Sequence, residues 1–321
     1  MSRLPSGMRG GAAVFDAELE RRCAAARRRL WRALRGADAR PPEDLSGQRL
    51  GDWLVGEQVA IGGLAAVYRA RRATRETGRP VALKVLHCGI DSSGIVSRFR
   101  TERRVLSRLD HPSIVRLIDH GAVADGRPFM VLEFVDGRPI TAHCDARELG
   151  LHARLRLMVD VLLALHHAHS HQVVHGDVKP SNVLVSEAGR VVLLDFGIAS
   201  LIGPEGNGSA DPGVTLLTPG YGSPEQYAGR AVGPASDIYQ TGLMLYELLA
   251  GRPAFEGKPH DAGFSVPPPS EALPSLPGCG RGCGDLDAVM RRATRYQAAR
   301  RYPSALDMAR ALQAHLGTRP V

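Results

Sequence analysis

The sequence predicts an α+β chain in two lobes, a small β-rich lobe followed by a larger helical one. Two observations predict it. Between residues 53 and 135, five short apolar runs have strand character, and a single segment of helical period interrupts them. Beyond Gly137 the apolar spacing changes to three and four, and four helices follow with only short extended segments between them. Strands first and helices afterwards is the order of a segregated α+β plan. The 321 residues are more than one compact domain usually needs, and a hydrophobic fraction of 44% suffices for a sizeable core.

Residues 1–48 read as a basic N-terminal extension. Its first thirteen residues are small and Gly-rich. Over 15–35, Leu19, Cys23, Ala26, Leu30 and Leu34 recur at three- and four-residue spacing, which predicts one amphipathic helix. Residues 38–47 hold Pro41 and Pro42 and read as a linker. The β-rich lobe, 53–135, opens with strands over 52–59 and 66–71 around a Gly-containing turn. A third strand follows at 81–86, a helix at 97–109 with Phe99, Val105, Leu106 and Leu109 on its apolar side, and strands at 114–120 and 129–134. In the helical lobe, 136–316, helices are expected at 155–169, 235–249, 285–295 and 304–316, with short strands at 182–186 and 191–194. Residues 317–321 are a tail.

The net charge of +8 is uneven, with Arg21, Arg22, Arg27, Arg28, Arg29, Arg32 and Arg35 clustered in the extension. Such a run suits a solvated helix face or an acidic partner, and nucleic acid is not expected. Five cysteines without framework spacing argue for reduced thiols and a cytoplasmic location. Cys279 and Cys283 lack the second pair a zinc site needs. No apolar run approaches the roughly 18 residues of a membrane span.

Chemistry is concentrated in a few segments. His175-Gly176-Asp177-Val178-Lys179-Pro180-Ser181-Asn182 places a carboxylate, an ammonium and a neutral amide within six residues. Thirteen residues after Asn182 comes Asp195-Phe196-Gly197, preceded by a strand. Upstream, Val81-Ala82-Leu83-Lys84 puts a lysine in a strand, and Glu102 lies in the following helix. Downstream come Thr218-Pro219-Gly220-Tyr221-Gly222-Ser223-Pro224-Glu225, then Asp237-Ile238-Tyr239-Gln240-Thr241-Gly242, and later Arg301.

This set, from about Trp53 to Leu316, resembles the eukaryotic-like (Hanks-type) serine/threonine protein kinases of bacteria. The resemblance implies the two-lobed protein kinase fold, with ATP and Mg2+ as cofactors (Mn2+ as a substitute) and protein Ser/Thr hydroxyls as acceptors. It makes Asp177 the base for the incoming hydroxyl, Lys179 the neutraliser of the γ-phosphate, and Asn182 and Asp195 the magnesium ligands. Lys84, held by Glu102, would pair the α- and β-phosphates. Val67, Ala82 and Leu184 would sandwich the adenine, with Leu132 as gatekeeper and Glu133 to Val135 as the hinge. Leu106, Leu117, His175 and Phe196 would form an internal spine. Glu225 and Arg301 would be a structural ion pair, and Asp237 would support the catalytic loop. Segments at 140–145, 284–288 and 317–321 resemble a subgroup that often continues into tetratricopeptide repeats, absent here.

The chain departs from the family pattern at three places. Of the phosphate loop, read as Val59-Ala60-Ile61-Gly62-Gly63-Leu64-Ala65-Ala66-Val67, only the central Gly62 fits, with Ala60 and Ala65 at the outer glycine positions. Gly176 replaces the arginine usual before the catalytic aspartate. Residues 255–277 are Pro-rich and leave little room for the helix normally found there, a region that often contributes to substrate docking. Thr218 matches a threonine that serves geometry, and Thr215 and Ser209 are the expected autophosphorylation sites. The altered phosphate loop motivates an alternative, a pseudokinase scaffold. The retained Lys84, Asp177, Asn182 and Asp195 favour an active kinase over it.

Overall fold

The computed structural model describes residues 44–62, 64–74, 78–87, 93–196, 200–201, 220–255, 266–268, 270 and 284–317. The expected N-terminal helix, Gly63, Ser209, Thr215, Thr218, Cys279, Cys283 and residues 318–321 lie outside them. The chain divides into two compact units. Of the described residues, the first holds those before position 91 together with 120–131, and the second holds 93–119 and those from Leu132 on.

The first unit is built on a sheet. Its strands β1 (Arg49–Leu50), β2 (Trp53–Ile61), β3 (Ala65–Arg72) and β4 (Val81–Leu86) pair antiparallel in sequence order. With β5 (Leu117–Ala122) and β6 (Pro128–Glu133) they complete the order β1-β2-β3-β4-β6-β5. One face of β3 and β4 carries Ala66, Tyr68, Ala70, Val81, Leu83 and Val85, all within 5% exposure, which pack with Trp53, Val55, Phe129 and Val131. This is the period-2 pattern that side chains alternating across a pleated strand require. The core reaches back further than the sequence suggests: Leu45, read as linker, is 1% exposed and belongs to this cluster with Leu50. Its backbone N–H points at the Tyr68 hydroxyl at 3.4 Å.

In the second unit, α1 (Ser93–Leu106) begins and ends earlier than the periodicity predicts, and it groups with the helical unit. Beyond it, Arg108 and Leu109 donate to Val105 and Leu106, three residues back, in tight turns that close the helix. The strand expected from residue 114 starts only at Leu117. Ile114 instead makes a parallel bridge to Leu193, because Val115 N–H donates to Leu193 and Leu193 N–H to Ser113. Among the small elements that periodicity overlooked are β7 (Gly137–Pro139) and α2 (Ile140–Ala146). The strand is short and exists only as an edge to β9 (Val183–Ser186), which also pairs with β10 (Val191–Leu193).

The long α3 (Leu151–Ser170) starts four residues before its expected position. Leu151 is already 1% exposed, and Arg154 ties the first turn to Leu149, Leu248 and Asp145. A two-residue strand, β8 (Val173–Val174), pairs with β11 (Ser200–Leu201), and the short α4 (Pro224–Tyr227) follows. In α5 (Pro234–Ala250) every residue from Ser236 to Tyr246 is buried, the mark of a helix enclosed on all sides. The chain ends in α6 (Gly284–Ala293) and α7 (Ala305–Gly317), and α3 packs against α5 and α7. Among the described residues no helix is long and apolar enough to cross a membrane.

Candidate active site

In the second unit a loop between β8 and β9 carries most of the candidate catalytic residues. The Lys179 ammonium lies 2.6 Å from Asp177 Oδ2. Asn182 Nδ2 donates to the Asp177 backbone carbonyl at 2.8 Å and to Asp177 Oδ2 at 3.1 Å. The three side chains expected to act together therefore meet around one carboxylate. A 3-10 turn, Pro180–Asn182, folds Asn182 back toward Asp177, its N–H donating to Lys179. The Asn182 carbonyl then accepts from Leu194, which links the loop to the residue before Asp195.

The backbone of this loop is held almost entirely by side chains. Asp237 on α5, with no exposed side-chain surface, accepts from the N–H groups of His175 at 2.9 Å and Gly176 at 2.7 Å, and from His169 Nε2 at 2.7 Å. Asp177 N–H donates to His175 Nδ1 at 3.2 Å, so Nδ1 is the acceptor and Nε2–H donates to Leu194 O at 2.7 Å. These bonds set one neutral tautomer. The His175 ring lies 4.6 Å from Phe196, and both side chains are fully buried; of the other expected spine residues, Leu106 is buried and Leu117 half-buried.

Asp195 is exposed and has φ of 52°, in the left-handed region that a non-glycine residue enters at a cost of about 1–3 kcal/mol. Such conformations concentrate at functional sites. The donor set suits magnesium, a hard cation with a preference for oxygen. Because Asn182 commits its Nδ2 to Asp177, its neutral Oδ1 is turned the other way. Among the described residues no group of three or more His, Cys, Asp or Glu could hold a metal. A magnesium ion that shares two protein oxygens with phosphates and water needs no such group.

Glu225 and Arg301 form a bidentate pair at 2.7 and 2.8 Å. Burial pushes the Glu225 carboxyl up, but hydrogen bonds from Arg301 and Ser236 and the guanidinium charge outweigh it, holding it below the ordinary carboxylate range. Just upstream, Gly220 has φ of 89°, and a Cβ there would meet the Phe255 carbonyl at 2.9 Å. Phe255 packs with Tyr239, Leu243 and Tyr221 at the start of the Pro-rich segment. In the same unit Leu132 is buried and Leu184 and Val135 are half-buried, while the Glu133 side chain is bound by Arg190 at 2.7 Å and its N–H donates to Arg116. Glu102 is 3% exposed on α1.

In the first unit the register pairs Val67 with Lys84 and Arg69 with Ala82, so Val67, Ala82 and Lys84 share the face of the sheet opposite its core, each half-buried. In the segment expected to form the phosphate loop, Gly62 N–H donates to Ala65 O at 2.8 Å, and the Gly62 carbonyl meets His87 Nε2 at 2.9 Å. Val59, Ala60 and Gly62 are exposed and Ile61 and Leu64 half-buried, whereas Ala65 and Ala66 are strand residues with buried side chains. Any contact of Ala65 or Ala66 with a phosphate would therefore run through backbone N–H groups. Sequence reasoning missed Gln226 and Gln240, both buried and both bonded to Gly176 O. The available signal was a lone amide inside the apolar stretch at 238–245.

A family model for the protein kinase domain matches residues 53–266. The chain is 35% identical over 272 residues to the serine/threonine-protein kinase pkn2 of Myxococcus xanthus, covering 82% of this chain and 32% of that protein. It is 32% identical to the serine/threonine-protein kinase PknB of Mycolicibacterium smegmatis, covering 85% of this chain and 44% of that protein. It is 39% identical over 233 residues to the DNA damage-responsive serine/threonine-protein kinase RqkA of Deinococcus radiodurans, covering 70% of this chain and 34% of that one. The chain thus spans between about a third and under a half of the length of these curated relatives. A matched kinase model across both units and this set of Hanks-type relatives make the chain a member of the protein kinase family.

Proposed function

We propose that this chain is an active serine/threonine protein kinase, transferring the γ-phosphate of ATP to Ser or Thr hydroxyls of protein substrates and of itself. The observation that carries the reading is the Asp177, Lys179 and Asn182 constellation on a backbone clamped by Asp237. Asp177 accepts the proton of the acceptor hydroxyl as its oxygen attacks phosphorus. Lys179 holds the Asp177 carboxylate in place and offers positive charge to the phosphoryl oxygens. Asn182 Oδ1 and the Asp195 carboxylate would hold magnesium, which when bound supplies charge neutralisation to the phosphates. Lys84 is assigned to the α- and β-phosphates with Glu102 as its partner, the exposed 59–62 turn to their cover, and Val67, Ala82 and Leu184 to the adenine. Glu133 and Val135 are assigned to its hydrogen-bonding edge through their backbone. We assign the Arg-rich extension to an acidic partner and the protein to the cytoplasm.

Catalysis here is mostly positioning and charge. Incubation with radiolabelled ATP, Mg2+ and a generic Ser/Thr-containing basic protein tests the reading, with Asp177→Asn as control. Incorporation by the wild type and its loss in the variant support it, and a wild type no faster than the variant overturns it.

A further inference from the structure

Asp177 sits between two peptide groups, one ending at its own N–H and one beginning at its own carbonyl. Their relative orientation fixes the direction in which the carboxylate points. One side chain grips both. Gln240 Nε2 donates to the carbonyl of Gly176 at 3.0 Å, and Gln240 Oε1 accepts from Val178 N–H at 2.8 Å. A planar amide that holds the group before Asp177 and the group after it leaves the aspartate's φ and ψ little freedom.

The amide is itself locked. Gln240 is 1% exposed on the enclosed helix α5, and its Nε2 also donates to Gln226 Oε1 at 3.0 Å. Gln226, 5% exposed, donates to the same Gly176 carbonyl at 2.7 Å and accepts from Ser223 N–H at 2.8 Å. Both lone pairs of the Gly176 carbonyl are thus occupied, and the Gly176 N–H is held by Asp237. Gly176 has φ of 78°, which glycine adopts without the penalty an L side chain meets. The network also joins the loop to the segment ending at Glu225, immediately before Gln226 in the chain.

We infer that Gln240 and Gln226 are positioning residues for the phosphoryl-transfer step, aiming Asp177 through the Gly176 carbonyl and coupling that aim to the 223–226 segment. The inference rests on the proposed kinase activity. Both amides are more than 45 residues from Asp177 in sequence and neither is assigned to nucleotide or acceptor, so their loss acts on kcat and leaves nucleotide affinity alone. The network also makes a distinctive pH prediction. In Gln240→Glu an ionised carboxylate accepts from Val178 but cannot donate to Gly176, leaving two oxygens in repulsion. A protonated one restores a donor, and burial favours protonation.

The test compares wild type, Gln240→Leu, Gln240→Glu and Gln226→Leu by kcat per folded molecule, fluorescent ATP-analogue affinity and melting temperature, with Asp177→Asn as the inactive control. The leucine variants are expected to lose at least tenfold in kcat while analogue affinity stays within threefold. For Gln240→Glu, kcat relative to wild type is expected to rise at least fivefold between pH 8.5 and pH 6.5. An inactive wild type refutes the kinase reading itself. With an active wild type, kcat per folded molecule within threefold in the leucine variants overturns the inference. So does a flat relative pH profile in Gln240→Glu. Should Gln240 variants not fold, Gln226→Leu decides alone by the same kcat criterion.

Discussion

Replacing Arg301 with methionine exposes the energetics of the second unit most directly. The guanidinium side chain has no exposed surface, and all its donor groups are used: two bonds to the Glu225 carboxylate, and others to the carbonyls of Ala235 at 2.7 Å, Arg295 at 2.8 Å and Tyr296 at 3.0 Å. It also lies 4.7 Å from the Tyr239 ring centre. Without it, Glu225 loses both guanidinium bonds and keeps the Ser236 hydroxyl, at 2.6 Å, and a backbone N–H in a buried setting. Removing one partner of a buried pair costs about 3–5 kcal/mol. At about 2–4 °C per kcal/mol for a chain of this size, the melting temperature should fall by about 6–20 °C.

The pH dependence follows from the same groups. In the wild type the lowered Glu225 pKa contributes stability above the unfolded carboxylate's range, lost as pH falls through the lower folded value. In Arg301→Met the guanidinium's bonds and charge are gone and burial, which raises the folded pKa, is the largest influence left, so protonation then favours the folded state. Differential scanning calorimetry of both proteins between pH 8 and pH 5 should show the gap narrowing toward acid, with Arg301→Met/Glu225→Gln recovering part of the loss. A fall of less than about 3 °C at pH 8, or a gap that widens toward acid, would refute the reasoning.

Lys84→Met should abolish phosphoryl transfer, since losing one preorganised charge raises the barrier by about 3–4 kcal/mol, while the melting temperature stays near wild type. More than a tenth of wild-type activity in a rate assay would remove Lys84 from the nucleotide site. Deleting residues 1–43 should leave basal catalysis largely intact, whereas Leu45→Ala should cost about 2–4 kcal/mol in urea unfolding, because Leu45 fills the sheet core. Insolubility of the deletion, or a neutral Leu45→Ala, would contradict that division. Thr215→Ala and Ser209→Ala, each dephosphorylated beforehand, should keep initial rates within tenfold, since Gly176 offers no guanidinium for a phosphate. A greater loss in either would show that another basic residue receives it.

The kinds of element and the residues of the chemistry can be read from the chain alone. Strand and helix periods are local, so β2, β3, β4, α5 and α7 are legible within a few residues of their observed ends. The constellation from His175 to Asn182 is legible for the same reason, because a carboxylate, an ammonium and an amide that must meet are supplied within six residues. Partnerships across long separations become visible once the chain is folded. Ile114 leaves its expected strand for Leu193, and Leu45 leaves its expected linker for the sheet core, because each finds its partners far along the chain. The sequence marks Gln240 only as a polar residue in an apolar helix. Its purpose appears when folding brings Gly176 and Val178, more than 60 residues upstream, against it. A buried amide must satisfy every donor and acceptor, and which groups do so is settled by packing, not by neighbours in the chain.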